Sequence, residues 1–328
     1  MRKTILFLVL VLILLTSCSK QTNITGKIVS IPKEEMISEK GEMQVFFCPK
    51  DDCSKVLEIL INSSKKSVHC ALYDLRLQNI IKALGRKSHD IDVKIVVDNN
   101  NYGYITGGGV KKDDNNQLTH NKFCIFDGQI ITTGSFNPTE RGAFNNNNNL
   151  VIVRSKYLAE NYEDEFNELW QGFFSRGEKV KYPEINVSNI IIENYFCPED
   201  NCRKQVIEEI QKAKKSMYFM TFSFTDEEVA DAILFSDVTD IKGIFEKVQA
   251  GSEYSQYKRL KDFGLNVKLD KNPYNMHHKV FIIDKETVIT GSYNPTGAGH
   301  FKNDENILII HDKEIANEFI EEFNSLFE

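Results

Sequence analysis

Apolar residues recur along this chain with two spacings, one typical of helices and one typical of strands. The helical spacing occurs over residues 56–61 and again over residues 206–213. A strand-like apolar run follows each of them, at 68–72 and at 217–222, and another run lies at 93–97. Helices that alternate with β-rich runs in this way predict an α/β fold.

The sequence also contains an internal duplication. The segment Phe-Cys-Pro-Lys-Asp-Asp-Cys at 47–53 returns at 196–202 as Phe-Cys-Pro-Glu-Asp-Asn-Cys. A later match joins residues 165–170 to residues 322–327. Self-similarity over such distances indicates two copies of one structural unit. We therefore expect two tandem α/β sandwich domains, at 41–182 and 183–328, related by a pseudo-two-fold axis.

Residues 1–17 have the pattern of a secretory signal peptide. Arg2 and Lys3 form a basic head, and residues 5–15 are almost purely apolar but too few to span a bilayer comfortably. The run ends in Leu-Thr-Ser-Cys, which resembles a prokaryotic lipobox with Cys18 as the lipidated residue. This predicts an exported protein that is lipid-anchored to the cell-envelope membrane, with residues 18–40 as a tether. A signal peptide without lipidation and an uncleaved N-terminal anchor are the alternatives.

The composition and net charge of the chain bear on whether it binds nucleic acid. Apolar residues make up 41% of the chain and charged residues 27%, which is ordinary for a globular protein, and the formal net charge is −7. Proteins that bind nucleic acid without sequence specificity usually present a net basic surface, because phosphate neutralisation supplies their affinity. The acidic total therefore argues against bulk binding of DNA or RNA, although a local basic site is compatible with it.

The seven cysteines fit an exported protein. Cys48 with Cys53, and Cys197 with Cys202, are expected to form local disulfides that close two short loops. A zinc site is the alternative, and it would require both pairs to meet in space. Cys70 and Cys124 lie in apolar strand-like runs and are expected to be buried as small hydrophobic side chains.

One pattern that carries chemistry occurs in both halves. His120, Lys122 and Asp127 are repeated at the same spacing by a second set, and a Gly-Ser-aromatic-Asn turn follows each. The second set and the turn residues are His277, Lys279, Asp284, Ser135, Asn137, Ser292 and Asn294. His and Lys two positions apart project to the same side of a strand, whereas His278 should point to the other side. Two such halves would place a histidine on each side of one phosphorus atom.

These motifs closely resemble those of the phospholipase D superfamily, and the resemblance covers nearly all of residues 41–328 as two tandem family domains. It implies one shared active site and a two-step reaction, in which one histidine forms a phosphohistidine and the other protonates the leaving oxygen. It also implies that the lysines, serines and asparagines of the motifs hold the phosphate, and that Asp127 and Asp284 are mainly structural. No metal or other cofactor is expected, and one chain should suffice as a monomer.

The two halves differ at the position of the acidic residue that orients the histidine in this family. Glu305 occupies it in the second half, whereas Asn148 occupies it in the first. A carboxylate stabilises a charged imidazole ring, whereas an amide oxygen only orients it. We therefore expect His120 to be the neutral nucleophile and His277, backed by Glu305, to be the general acid. In the alternative interpretation, the asparagine run at 145–149 is a loop that tolerates substitution, and the motif of the first half contributes less to catalysis.

The motifs predict the reaction but leave the substrate open. A membrane anchor and an acidic chain favour hydrolysis of phospholipids, with transfer to another alcohol as a variant of the same chemistry. An exported endonuclease is the alternative, and an inactive interaction module is disfavoured by the two intact motifs. A lipid substrate predicts apolar surface around the cleft. A nuclease predicts a basic groove lined by Lys111, Lys112, Lys261 and Lys268.

Overall fold

The same series of elements occurs twice in the computed structural model, which describes residues 36–103, 109–114 and 116–328. Strand β1 (Ile37–Glu39) precedes the first series. That series consists of β2 (Glu42–Cys48), α1 (Cys53–Ser63), β3 (Ser67–Leu72), α2 (Gln78–Lys87), β4 (Asp92–Val97), β5 (Val110–Lys112), β6 (Lys122–Phe126), β7 (Ile130–Gly134), α3 (Glu140–Phe144), β8 (Asn148–Arg154) and α4 (Lys156–Gln171).

Strand β9 (Glu184–Val187) leads into the second series. That series consists of β10 (Ile190–Cys197), α5 (Cys202–Lys212), β11 (Ser216–Thr221), α6 (Glu227–Leu234), β12 (Asp240–Phe245), α7 (Gln256–Asp262), β13 (Asn266–Leu269), β14 (Lys279–Ile283), β15 (Thr287–Gly291), α8 (Gly297–Phe301), β16 (Glu305–His311) and α9 (Lys313–Phe327). Helix α7 has no counterpart among the described residues of the first series.

Each series builds one mixed sheet, and the strand order is the same in both. The first sheet runs β2-β8-β7-β6-β3-β4-β5, and the second runs β10-β16-β15-β14-β11-β12-β13 with β9 and β1 added beyond β10. The α/β class and the two tandem sandwich units predicted from the sequence are confirmed. The tether predicted for residues 18–40 is wrong at its end, because β1 pairs in parallel with β9 in the second sheet.

A single hydrophobic core joins the two sheets. Phe47, Phe123 and Tyr162 from the first repeat pack in one cluster with Phe196 and Phe319 from the second. Helices α4 and α9 contribute to this shared core, while α1 and α2 cover the other face of the first sheet and α5 and α6 that of the second. Residues 36–328 therefore form one compact unit.

Three disulfides occur in the described residues. Cys48–Cys53 and Cys197–Cys202 each close a loop at a sequence separation of 5, as expected from the sequence. Cys70 and Cys124 are buried, as expected from the sequence, but they also form a third disulfide that was not predicted. They lie directly opposite each other on antiparallel β3 and β6, with their Cα atoms 4.1 Å apart.

The predicted signal peptide, Cys18 and most of the tether lie in residues 1–35, outside the described residues. Within the part that the structure describes, no helix combines the length and the apolar character needed to cross a membrane.

Candidate active site

The two histidines lie just before the strands that carry the lysines. Strand β6 begins at Lys122 and is antiparallel to β3, so His120 lies beside the carboxyl end of β3. Strand β14 begins at Lys279 and has the same relation to β11. Both histidines are nearly buried, at 7% exposure each. This end of both sheets, where the parallel strands terminate, is called the site end below.

Backbone contacts join the two repeats at the histidines themselves. The amide of His120 donates to the carbonyl of Asp304 (2.9 Å), and the amide of His277 donates to the carbonyl of Asn147 (2.8 Å). The segment that enters β16 therefore lies against His120, and the segment that enters β8 lies against His277. The two motifs consequently form one site, and each is completed by the other repeat.

This exchange reverses the pairing expected from the sequence. Nδ1 of His120 lies 2.7 Å from a carboxylate oxygen of Glu305. Nδ1 of His277 lies 2.9 Å from Oδ1 of Asn148 and 3.1 Å from the carbonyl oxygen of Ser135. The hypothesis that Glu305 backs His277 is therefore wrong. The hypothesis paired each histidine with the residue of its own repeat. In the structure, the segments that enter β16 and β8 cross the pseudo-two-fold axis and reach the histidine of the other repeat.

The hydrogen bonds define the tautomer of both rings. The amide nitrogen of Asn148 donates to the carbonyl of Gly142 (3.0 Å), so its oxygen faces His277. Both Nδ1 atoms therefore donate their hydrogens, to Glu305 and to Asn148, and each Nε2 is left with its lone pair. One Nε2 atom of this kind can act as a nucleophile at phosphorus, and the other, once it is protonated, can act as the acid for the leaving oxygen.

Burial keeps both imidazoles neutral in the free protein. Burial lowers the pKa of His120 to about 4, although the nearby charge of Glu305 opposes this shift. Burial and the neighbouring Lys279 hold the pKa of His277 well below its usual range. The charged form of His277 therefore becomes accessible only when a negative group enters the site.

The two lysines supply the positive charge of the site. Nζ of Lys122 donates to the carbonyl of His120 (2.5 Å), and Nζ of Lys279 donates to that of His277 (2.8 Å). Burial lowers the pKa of Lys122 to about 7, and burial together with Lys122 holds that of Lys279 well below its usual range. A bound anion favours the charged form of both buried amines, and phosphate is an anion that lysine binds well.

Two aromatic residues beside the histidines were missed in the sequence. The ring of Tyr73 lies edge-on to His120 at 5.0 Å, and that of Phe222 lies edge-on to His277 at 4.6 Å. Each follows directly after its strand, β3 or β11, so alignment of the repeats could have identified them. Their rings also approach Lys122 and Lys279, at 5.3 and 4.9 Å.

The turn residues of the motif occupy two kinds of position. The hydroxyls of Ser135 and Ser292 are buried and accept from the amides of Asn149 (3.0 Å) and Asn306 (2.9 Å). The side-chain oxygens of Asn137 and Asn294 are buried with no hydrogen-bond partner among the described residues. Direct contact of these four residues with phosphate stays a prediction.

The motif aspartates lie at the other end of the strands. Asp127 follows β6 and accepts from the backbone amides of residues 65–67 (2.6–3.0 Å), and Asp284 does the same for residues 214–216. Both therefore anchor the start of the neighbouring strand, away from the histidines. His278 points to the opposite side of its strand, is buried, and lies 3.3 Å from Glu322.

Two clusters of groups that could ligate a metal occur in the described ranges. One consists of Glu193, Glu209 and His311, and the other of Glu165, Glu168 and Glu199. Neither contains a residue of the two motifs.

Known proteins resemble this chain in sequence. The family model described as "Cardiolipin synthase, PLD-like domain" matches residues 57–170 and 206–327. A phospholipase D of Rickettsia felis is 29% identical over 152 residues, which are 45% of this chain and 75% of that protein. The mitochondrial cardiolipin hydrolase of Homo sapiens is 30% identical over 134 residues, 39% of this chain and 52% of that protein.

A solved structure shares the fold of both repeats together. The phosphatidylserine synthase of Haemophilus influenzae superposes with a TM-score of 0.65 at 12% identity, and the match covers 86% of this chain and 85% of that one. At that identity the likeness concerns the fold alone. The family match covers most of the chain and both histidine motifs. The chain therefore belongs to the phospholipase D-like family, in which it is a phosphoric diester hydrolase with two copies of the family domain.

Proposed function

We propose that this enzyme hydrolyses the headgroup phosphodiester of phospholipids, with His120 as the nucleophile and His277 as the acid and base. The observation that carries the assignment of roles is the unequal pairing of His120 with Glu305 and of His277 with Asn148. When Nε2 of His120 bonds to phosphorus while Nδ1 keeps its hydrogen, the ring becomes positively charged. The carboxylate of Glu305 stabilises that charge, and the amide of Asn148 cannot do the same for His277.

The reaction then proceeds in two steps. Nε2 of His120 attacks phosphorus, the bond from phosphorus to the leaving oxygen breaks, and the proton on Nε2 of His277 passes to that oxygen. The bound phosphate is what allows His277 to carry this proton. Water then attacks the phosphohistidine, its proton passes to His277, and the phosphorus–nitrogen bond breaks. His120 remains the nucleophile, as expected from the sequence, but for a different reason.

Trapping the intermediate tests the assignment. The 19–328 chain would be mixed with phospholipid labelled at phosphorus, quenched in base, digested and sequenced for the labelled peptide. We expect label on the peptide that contains His120, and none in His120→Ala. Label on the His277 peptide would show that the two roles are reversed.

The choice of a lipid over a nucleic acid rests on the surface lysines and on the named relatives. Nζ of Lys111 donates to the carbonyl of Trp170 (2.8 Å), and Nζ of Lys268 donates to that of Phe327 (2.7 Å). These two lysines thus stabilise the ends of α4 and α9. Lys112 lies 3.4 Å from Asp114, and Lys261 contacts the hydroxyl of Tyr257 (3.1 Å). Lys111, Lys112 and Lys268 are thus engaged by helix-end carbonyls or by a carboxylate, which supports the lipid proposal.

Parallel assays of the 19–328 chain, without added metal, test the substrate class. We expect hydrolysis of phosphatidylcholine or cardiolipin, lost in His120→Ala, and little cleavage of single-stranded DNA. DNA cleavage that depends on His120, without turnover of either lipid, would overturn the lipid proposal in favour of an exported endonuclease. An added primary alcohol would show whether transfer accompanies hydrolysis.

We also propose that the protein is exported and held at the envelope membrane through Cys18. The leader pattern supports this, and so do the three disulfides, which are typical of an oxidising compartment. In cells whose membranes are washed with alkaline carbonate, which strips peripheral contacts, Cys18→Ser should move the protein from the membrane fraction to the soluble fraction. Unchanged membrane association of that variant after the wash would contradict the anchor.

A further inference from the structure

Large aromatic side chains are exposed at the site end of the molecule. Four of them lie on the segments beside the two histidines, namely Phe144 (53% exposed), Phe173 (43%), Tyr274 (44%) and Phe301 (62%), and we call these four residues the aromatic rim. Burying such side chains in water-free surroundings is strongly favourable, so several of them exposed together indicate an interaction surface.

The connections of the chain place the rim around the two histidines. Phe144 ends α3, which joins β7 to β8, and β8 begins with the Asn148 that contacts His277. Phe301 ends α8, which has the same relation to Glu305 and His120. These two residues therefore lie at equivalent positions in the two repeats, one on each side of the active site.

The other two rim residues are tied to the same segments. Tyr274 lies three positions before His277, in the segment that enters β14. Phe173 follows α4, and the nearby amide of Ser175 donates to Asp304 (2.6 Å), whose carbonyl accepts from His120. The segments beside each histidine thus carry two exposed aromatic rings.

Basic side chains accompany the rim. The guanidinium of Arg141 lies 5.8 Å from the ring of Tyr274, and that of Arg176 lies 5.3 Å from the ring of Phe173. Both arginines are exposed, as is Lys302 next to Phe301. Aromatic rings with adjacent cations are the composition that proteins place at the boundary between lipid headgroups and acyl chains. The chain as a whole is acidic, so these cations are a local feature of the site end.

We propose that the aromatic rim is a docking surface for a phospholipid membrane with anionic headgroups, and that docking turns the cleft toward the lipid. The proposal rests on the proposed function, because it assumes a lipid substrate. It adds a second membrane contact that is independent of Cys18. An anchor alone would hold the protein near the membrane, whereas the rim would also orient it.

Vesicle binding of the 19–328 chain tests the rim without the anchor, since residues 36–328 form a compact unit by themselves. The His120→Ala variant serves as background so that no lipid is consumed. Vesicles of phosphatidylcholine alone, or of equal parts phosphatidylcholine and phosphatidylglycerol, would be sedimented to obtain the partition coefficient. We expect stronger binding to the anionic vesicles, and a loss of about tenfold or more in Phe144→Ala/Phe301→Ala.

The molecule offers a matched control at its other end. Phe235 (78% exposed) and Phe263 (65%) follow α6 and α7, away from the site end. Phe235→Ala/Phe263→Ala should bind vesicles as the background does, and equal losses in both double variants would overturn the proposal. Phe144→Trp/Phe301→Trp should retain binding and show a blue-shifted emission on vesicles, which also demonstrates that the altered rim still folds.

If the aromatic rim binds something other than a membrane, the same variants give different results. If Phe144→Ala/Phe301→Ala weakens binding of single-stranded DNA and leaves vesicle binding unchanged, the rim serves nucleic acid and the proposal is wrong. If that variant only converts a dimer to a monomer in sedimentation, the rim is a self-association surface and the proposal is equally wrong. Phospholipid hydrolysis by the active chain, assayed separately in detergent micelles, shows whether the proposed function itself has failed.

Discussion

His120 and Glu305 are separated by 185 residues in the chain, yet Nδ1 of the histidine lies 2.7 Å from the carboxylate. The contact links the first motif to the second repeat. Its counterpart links His277 to Asn148, where the carboxylate is replaced by an amide. The two histidines therefore differ in the charge of the side chain that accepts a hydrogen bond from Nδ1.

Replacing Glu305 with Gln should lower kcat by about 10³-fold, because the hydrogen bond to His120 can survive while the charge that stabilises the phosphohistidine is lost. The measurement is steady-state turnover together with the rate of labelling of His120. Glu314→Gln removes an exposed acid from α9 and should have no effect. Full activity of Glu305→Gln would show that the carboxylate only orients the ring.

Replacing Asn148 with Asp places a carboxylate behind His277 and should raise the pKa of that histidine. We expect the pH optimum to move up by about one unit, since a neighbouring negative charge stabilises the protonated ring. The pH profile of kcat is the readout. Asn145→Asp adds the same charge in the same run without a contact to a histidine, so its optimum should stay in place. An unchanged pH profile of kcat in Asn148→Asp would show that His277 does not carry out the proton transfer.

The buried His120 should make stability depend on pH. Its pKa is about 4 in the folded chain against an ordinary value of 6.5, so between these values the unfolded chain binds the proton and the folded chain does not. The free energy of unfolding should therefore be undiminished above pH 6.5 and fall as pH drops toward 4, by on the order of 3 kcal/mol. Urea unfolding across this range should show a shallower fall in His120→Asn. If the free energy of unfolding falls equally with pH in the unmodified chain and in His120→Asn, the lowered pKa of His120 is contradicted.

Oxyanion binding should take up a proton. The pKa of Lys122 is lowered to about 7, and a bound anion raises it again. Binding of inorganic phosphate should therefore weaken as pH rises above 7. Calorimetry at pH 8 in two buffers of different ionisation enthalpy should reveal proton uptake that is smaller in Lys122→Met. Lys112→Met, at an exposed lysine paired with Asp114, is the matched control and should leave the uptake unchanged.

The disulfide between β3 and β6 should contribute more stability than the local ones. Its sequence separation is 54, whereas that of Cys48–Cys53 is 5. Constraint of the unfolded chain grows with the closed loop, which gives about 4 kcal/mol for the long loop and about 2 kcal/mol for the short one. Urea unfolding of Cys70→Ala/Cys124→Ala and of Cys48→Ala/Cys53→Ala would compare them. A larger loss in the short-loop variant would contradict this order.

Much of the fold and of the candidate site was predictable from the sequence, because the features concerned are local. The helical spacing at 56–61 lies in α1, the apolar run at 68–72 lies in β3, and the repeats of both occur where expected. The alternation of strand residues also placed His120 and Lys122 on the same side and His278 on the other. Such features depend on backbone periodicity, which a sequence records directly.

The tertiary structure alone decided which groups meet across the two repeats. Glu305 contacts His120 and Asn148 contacts His277 because the segments that enter β16 and β8 cross the pseudo-two-fold axis. The same dependence on packing explains the pairing of Cys70 with Cys124, which requires the register of β3 against β6. A sequence shows which residue types are present and how each segment folds. The partners of buried polar groups follow from how the sheets are placed against each other, which no local pattern records.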